Sequence, residues 1–134
     1  MQMTNKRLKR LYYINRDIDR LQQRIDELES VAEGTTRPIT GLPGGFAQSD
    51  KIGNCAVRLS VLRAQLDAAK ADAQLEYEET TSYIESLDDP IMRQIMQYRH
   101  LNCLPWEETA ALIGGGNTAA GIRQMYKRFL DTQK

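Results

Sequence analysis

The chain has 134 residues, with 18 Lys and Arg against 18 Asp and Glu, so its formal net charge is zero. Only 7% of residues are aromatic, and Leu, Ile, Ala, Glu, Arg and Gln are frequent, a composition that favours long helices over a thick core and predicts an all-α fold. No secretory leader is expected, and no apolar run is long enough to span a bilayer. No membrane partner is therefore expected, and Cys55 and Cys103 read as reduced thiols of a cytoplasmic protein. Two separated cysteines and the sole histidine, His100, lack metal-ligand spacing, and His100 is paired with no serine or cysteine nucleophile. Neither a metal, nor another cofactor, nor an enzymatic activity is expected.

In chain order, Leu11, Ile14, Ile18, Leu21, Ile25, Leu28 and Ala32 recur at alternating steps of three and four, the seam of a coiled coil. This predicts a first helix over residues 4–33, stopped by Gly34. Residues 34–48 contain Pro38, Gly41, Pro43, Gly44 and Gly45 and keep no helical or strand period, so they read as a glycine-rich loop. Gly44-Gly45-Phe46-Ala47-Gln48-Ser49 lacks the preceding strand and the Gly-Lys-Ser/Thr ending of a phosphate cradle, which argues against nucleotide binding. Ser49 or Asp50 is the expected cap of a second long helix, residues 49–87. Its seam is Ile52, Cys55, Leu59, Leu62, Leu66, Ala69 and Ala73. From Ala73 the seam steps by four to Tyr77 and continues through Thr80, Ile84 and Leu87, a stutter that unwinds the supercoil locally.

Two long helices joined in this way are expected to fold back as an antiparallel coiled-coil hairpin. The charges agree. Lys6, Arg7, Lys9, Arg10, Arg16, Arg20 and Arg24 make the first helix basic, while Asp67, Asp72, Glu76, Glu78, Glu79, Glu85, Asp88 and Asp89 make the end of the second acidic. Folding back sets these runs side by side. A two-helix pair has a thin core, so a second chain is expected to complete a four-helix arrangement. The oligomerisation seam would be Leu11, Ile14, Ile18, Leu21, Ile25, Leu28, Leu59, Leu62 and Leu66, with a dimer favoured.

From Asp88 onward the pattern changes to three short helices. Asp88-Asp89-Pro90 is a helix start, with an acidic cap and proline in the first turn, and Ile91, Ile95 and Tyr98 supply a buried stripe. Pro105 opens the next helix, Glu107 and Glu108 complement its dipole, and Trp106, Thr109, Ala110 and Ile113 form its inward face. Gly114, Gly115 and Gly116 force a turn, after which Asn117 or Thr118 caps a third helix. That helix carries Ile122, Met125, Tyr126 and Phe129 on one face and Ala120, Gln124 and Lys127 on the other, flanked by Arg123 and Arg128. A small residue, an amide and several long cations on one helix face suit the major groove of double-stranded DNA. The expected architecture is a hairpin of residues 1–88 followed by a helix-turn-helix domain of residues 89–134. The DNA contacts would be Thr118, Ala120, Arg123, Gln124, Lys127, Arg128 and Arg99.

Residues Tyr83 to Pro90, then Gln97-Tyr98-Arg99, then Trp106-Glu107-Glu108-Thr109-Ala110 and Gly114 resemble the helix-turn-helix of sigma-70 region 4. More closely, the chain is similar to small proteins of that kind from phages and prophages of Gram-positive bacteria, including late-gene transcriptional regulators. Gly44 to Lys51 resembles their glycine-rich segment ending in Ser-Asp-Lys. The family usually has serine or threonine where Pro105 stands, and a more compact turn than Gly114 to Thr118. The resemblance implies transcriptional regulation, with RNA polymerase as a further candidate partner. Two rivals compete. A small terminase subunit would assemble into a ring of about eight to ten copies for DNA packaging. A protein-interaction module for RNA polymerase or another phage protein would show no salt-dependent DNA binding.

Overall fold

The computed structural model describes residues 3–35 and 45–133. Over these residues every regular element is helical: α1 (Asn5–Leu8), α2 (Arg10–Thr35), α3 (Gly45–Glu85), α4 (Pro90–Met96), α5 (Trp106–Ile113) and α6 (Ala119–Thr132). A π-helical turn, Gln97–Leu101, continues α4 without a break. No described helix is long and apolar enough to cross a membrane. Residues 36–44 of the expected loop lie outside the described residues. On either side of them the helices run further than the sequence suggests, α2 through Gly34 to Thr35 and α3 from Gly45 rather than from Ser49 or Asp50. One glycine costs a helix only about 1 kcal/mol, which neighbouring turns can offset. The expected first helix is interrupted near its start. Thr4 caps α1 by accepting from the Arg7 N–H at 3.1 Å, and Lys9 separates α1 from α2.

The chain forms two compact units, and they do not divide between residues 88 and 89. One consists of Asn15–Ala71; the other joins Met1–Ile14 to Asp72–Lys134. In the first unit α2 and α3 pair through their apolar positions. Ile25, Leu59, Leu62 and Leu66 form its buried cluster, with Ile18, Leu21 and Leu28 packed against them. Arg63 donates to Glu29 at 2.7 Å across the pair, a bridge exposed enough to contribute well under about 1 kcal/mol. The expected seam residues of this unit are therefore occupied by packing within the chain.

The second unit has one core made from distant stretches of sequence. Met3 and Leu8 are buried with Ile84 and Leu87 from the end of α3 and its exit, and with Met92, Ile95, Met96, Ala110, Ile122 and Tyr126. Leu11 is buried and Ile14 half-buried within the same unit. This shared core is why the division departs from the expected one: the N-terminal segment cannot leave without exposing Met3 and Leu8.

One inward position is ionic. Tyr77, the expected seam residue, is 45% exposed, while Glu76 is 5% exposed. The two successive steps of four therefore fall at Glu76, Thr80 and Ile84, about two turns later than the Ala69, Ala73 and Tyr77 that apolar spacing suggests. Arg7 makes this possible. Its guanidinium lies 2.9 Å from Glu76 and also bridges Glu79, and Arg10 approaches Glu76 at 3.6 Å. A buried carboxylate is tolerated only with such partners, and a pattern of apolar residues cannot reveal them.

In α4, Asp89 caps by accepting from the Ile91 N–H at 3.0 Å, with Pro90 in the first turn. Ile91 itself is exposed. The buried arc is Met92, Ile95 and Met96, so the expected stripe of Ile91, Ile95 and Tyr98 is corrected by a rotation toward the methionines. The rotation follows from the shared core, which meets α4 from α5, α6 and the N-terminal segment at once. After the π-helical turn, Cys103 adopts a positive φ of 56° and the Leu104 N–H reaches back to the Tyr98 carbonyl at 2.9 Å.

Candidate nucleic-acid interface

The turn between α5 and α6 is built from glycine. Gly114, Gly115 and Gly116 have φ of 69°, 65° and 76°, a region that side chains disfavour, so three residues can reverse the chain without strain. Asn117 then donates from Nδ2 to the Gly114 carbonyl at 2.9 Å. Thr118 caps α6 by accepting from the Gly121 N–H at 3.0 Å. A Cβ on Gly121 would come within 3.0 Å of the Thr118 hydroxyl oxygen, so glycine there lets the cap close.

On α6, Ile122 and Tyr126 are buried and Met125, Phe129 and Leu130 are half-buried against the core. Ala120, Arg123, Gln124, Lys127 and Arg128 are all exposed, and Thr118 stands at the start of the same helix with its hydroxyl engaged in the cap. The inward face of α5 is also where its periodicity puts it, with Thr109 and Ala110 buried and Trp106 and Ile113 half-buried. Six of the seven residues expected to contact DNA thus come together on one helix and its cap.

Arg99 is placed differently. Its guanidinium stacks over the Trp106 ring at 4.4 Å and donates from Nη1 to the Leu104 carbonyl at 2.7 Å. These contacts tie the π-helical turn to α5, and they leave Arg99 half-buried rather than on the exposed face of α6.

Behind α6 a polar chain runs from buried His100 and Tyr126 to exposed Asn5. The Tyr126 hydroxyl donates to Asn5 Oδ1 at 2.7 Å and meets His100 Nε2 at 3.0 Å. Trp106 packs edge-on against the Tyr126 ring, with centroids 5.3 Å apart. Burial pushes the His100 pKa down to about 3, helped by the positive charges of Arg99 and Lys9 and opposed by a backbone hydrogen bond with Leu8. Burial likewise raises the Tyr126 phenol, against the nearby charge of Arg99. His100 is therefore a neutral structural link between α6 and the N-terminal segment. It stands in the last turn of the π-helical stretch, and its burial keeps it from solvent.

The N-terminal segment and α6 face each other across a cleft of about 470 Å³. Met3, Thr4, Asn5, Lys6 and Lys9 line one wall, and Trp106, Arg123, Tyr126, Lys127, Leu130, Asp131 and Gln133 line the other. Lys6 and Lys9 were not expected beside α6, because their basic run reads as a partner for the acidic end of α3. The helical period holds the missing signal. Residues 6 and 9 share one side of a turn and residues 7 and 10 another, and only Arg7 and Arg10 meet Glu76. No protein-family model matches the chain, and no curated protein or solved structure matches it.

Proposed function

We propose that the chain is a sequence-specific double-stranded DNA-binding protein, a transcriptional regulator of the phage type with a sigma-70 region 4-like helix-turn-helix formed by α5 and α6. The observation that carries this reading is the outward face of α6, where Ala120, Arg123, Gln124, Lys127 and Arg128 are exposed together. A small residue near the helix start permits close approach to the groove, an amide can bond two edge atoms of adenine, and the cations meet guanine edges or phosphates. In this reading the Thr118 cap fixes the helix start that points into the groove, and RNA polymerase is a candidate partner of the bound protein. Selection from a random DNA pool identifies the preferred sequence.

On that sequence, Gln124→Ala is expected to cost about 1 to 3 kcal/mol in binding while non-specific binding hardly changes. Arg128→Ala is expected to weaken binding to all sequences alike and to lower the slope of log affinity against log salt by about one. If both variants bind with unchanged affinity and salt slope, α6 is not the reader and a protein-interaction role replaces this one.

The pair of α2 and α3 serves, in the same reading, as an antiparallel coiled-coil hairpin for self-association. Because Ile25, Leu59, Leu62 and Leu66 pack within the pair, a second copy must use another face. Val31, Val57 and Val61 supply one, exposed on adjoining turns of the two helices. Val57→Lys combined with Val61→Lys is expected to turn a dimer into a monomer in sedimentation while helix content is kept. A mass that does not respond would place self-association elsewhere.

A further inference from the structure

We propose that the cleft between the N-terminal segment and α6 is a phosphate clamp that receives the sugar-phosphate backbone of one DNA strand beside the groove read by α6. The proposal rests on the DNA-reading role of α6 and adds to it a second wall, supplied by Lys6 and Lys9.

The first support is how the basic run of the N-terminal segment is divided. Arg7 and Arg10 turn toward α3, where Glu76 and Glu79 neutralise them. Lys6 and Lys9 line the cleft instead, facing Arg123 and Lys127 on α6. None of these four cations forms an ion pair among the described residues. Asp131 is the one carboxylate among the lining residues, so the cleft has a clear positive excess. Like charges gathered on two facing walls repel one another, and an anion between them relieves that repulsion.

The second support is that the wall is held in place. Leu8 is fully buried between the two lysines' turn and the core, and Asn5 accepts from the Tyr126 hydroxyl on α6 itself. A basic segment docked in this way presents its charges at a set distance from the recognition helix, so part of the ordering cost of binding is already met. The third support is the apolar part of the lining. Trp106 and Leu130 give the cleft apolar surface, which suits the deoxyribose between two phosphates, and about 470 Å³ is more than a lone inorganic ion needs.

The test compares the double variant Lys6→Ala, Lys9→Ala with the full-length protein across a salt series, on the selected duplex and on a scrambled one. The expected result is a loss of about two from the slope of log affinity against log salt on both duplexes, with their affinity ratio unchanged. Lys6→Gln with Lys9→Gln keeps most of the stem length and should behave like the alanine pair. Lys6→Arg with Lys9→Arg should restore the slope. An unchanged slope in the neutral variants, while Gln124→Ala still lowers binding to the selected duplex, overturns the clamp and leaves α6 as reader. If the unaltered protein shows no salt-dependent binding to either duplex, the DNA-reading role falls and the clamp falls with it.

Discussion

Leu8→Ala is expected to destabilise the unit formed by residues 1–14 and 72–134 by about 3 to 5 kcal/mol, the range for emptying a fully buried leucine site. Leu8 has 0% exposure, and its neighbours in the core come from the end of α3, from α4 and from α6. Atoms held by separate helices cannot all move in to fill the space left by a missing side chain, so the cavity term adds to the lost transfer energy. Trp106 is the only tryptophan and packs against this core, so its fluorescence in a denaturant titration reports the unit directly. A shift of less than about 1 kcal/mol would mean that the N-terminal segment merely rests on a bundle of α4, α5 and α6 that is stable without it.

The second large effect is on acid stability. His100 is 2% exposed and the only histidine of the chain, and its folded pKa is pushed down to about 3 from the ordinary 6.5. Between those values the unfolded chain binds a proton that the folded unit refuses. Stability is therefore fully present above pH 6.5 and is lost as pH falls, at about 1.4 kcal/mol per pH unit. From pH 6.5 to 5, a window above most carboxylate titrations, the loss should reach about 2 kcal/mol. His100→Gln keeps a group able to bond the Tyr126 hydroxyl and should flatten the curve in that window, whatever its stability at pH 7. If the unaltered protein is equally stable at pH 6.5 and 5, His100 is not held neutral in the core. Because the ring bonds Tyr126 on the inner side of α6, acid should also loosen α6 before α2 and the paired part of α3.

Much of the local structure is legible in single residues. Asp89 and Pro90 start α4, three glycines turn the chain after α5, and Thr118 caps α6, because each acts through its own backbone or through an N–H a few residues away. The apolar periods of α2 and α3 likewise predict that Ile25, Leu59, Leu62 and Leu66 face inward, and the period of α6 separates Ile122 and Tyr126 from Gln124 and Lys127. A helix face depends only on spacing, which is a property of the sequence.

The tertiary structure decided where those faces meet, and no local signal encodes that. Met3 and Leu8 share a core with Ile122 and Tyr126 across more than a hundred residues, which moves the division between compact units away from residue 88. Glu76 is buried because Arg7 reaches it, Arg99 is held on Trp106, and His100 is sealed between α6 and the N-terminal segment. Each of these residue types is usually solvated, so its burial is favourable only once a partner far along the chain is in contact. The basic run Lys6 to Arg10 shows the same limit. Its charge was visible in the sequence, but only the packing of α1 against both α3 and α6 assigned Arg7 and Arg10 to carboxylates and left Lys6 and Lys9 facing the cleft. Spacing along a helix determines which residues point the same way; the energy of burying a charge determines which of them the fold can use.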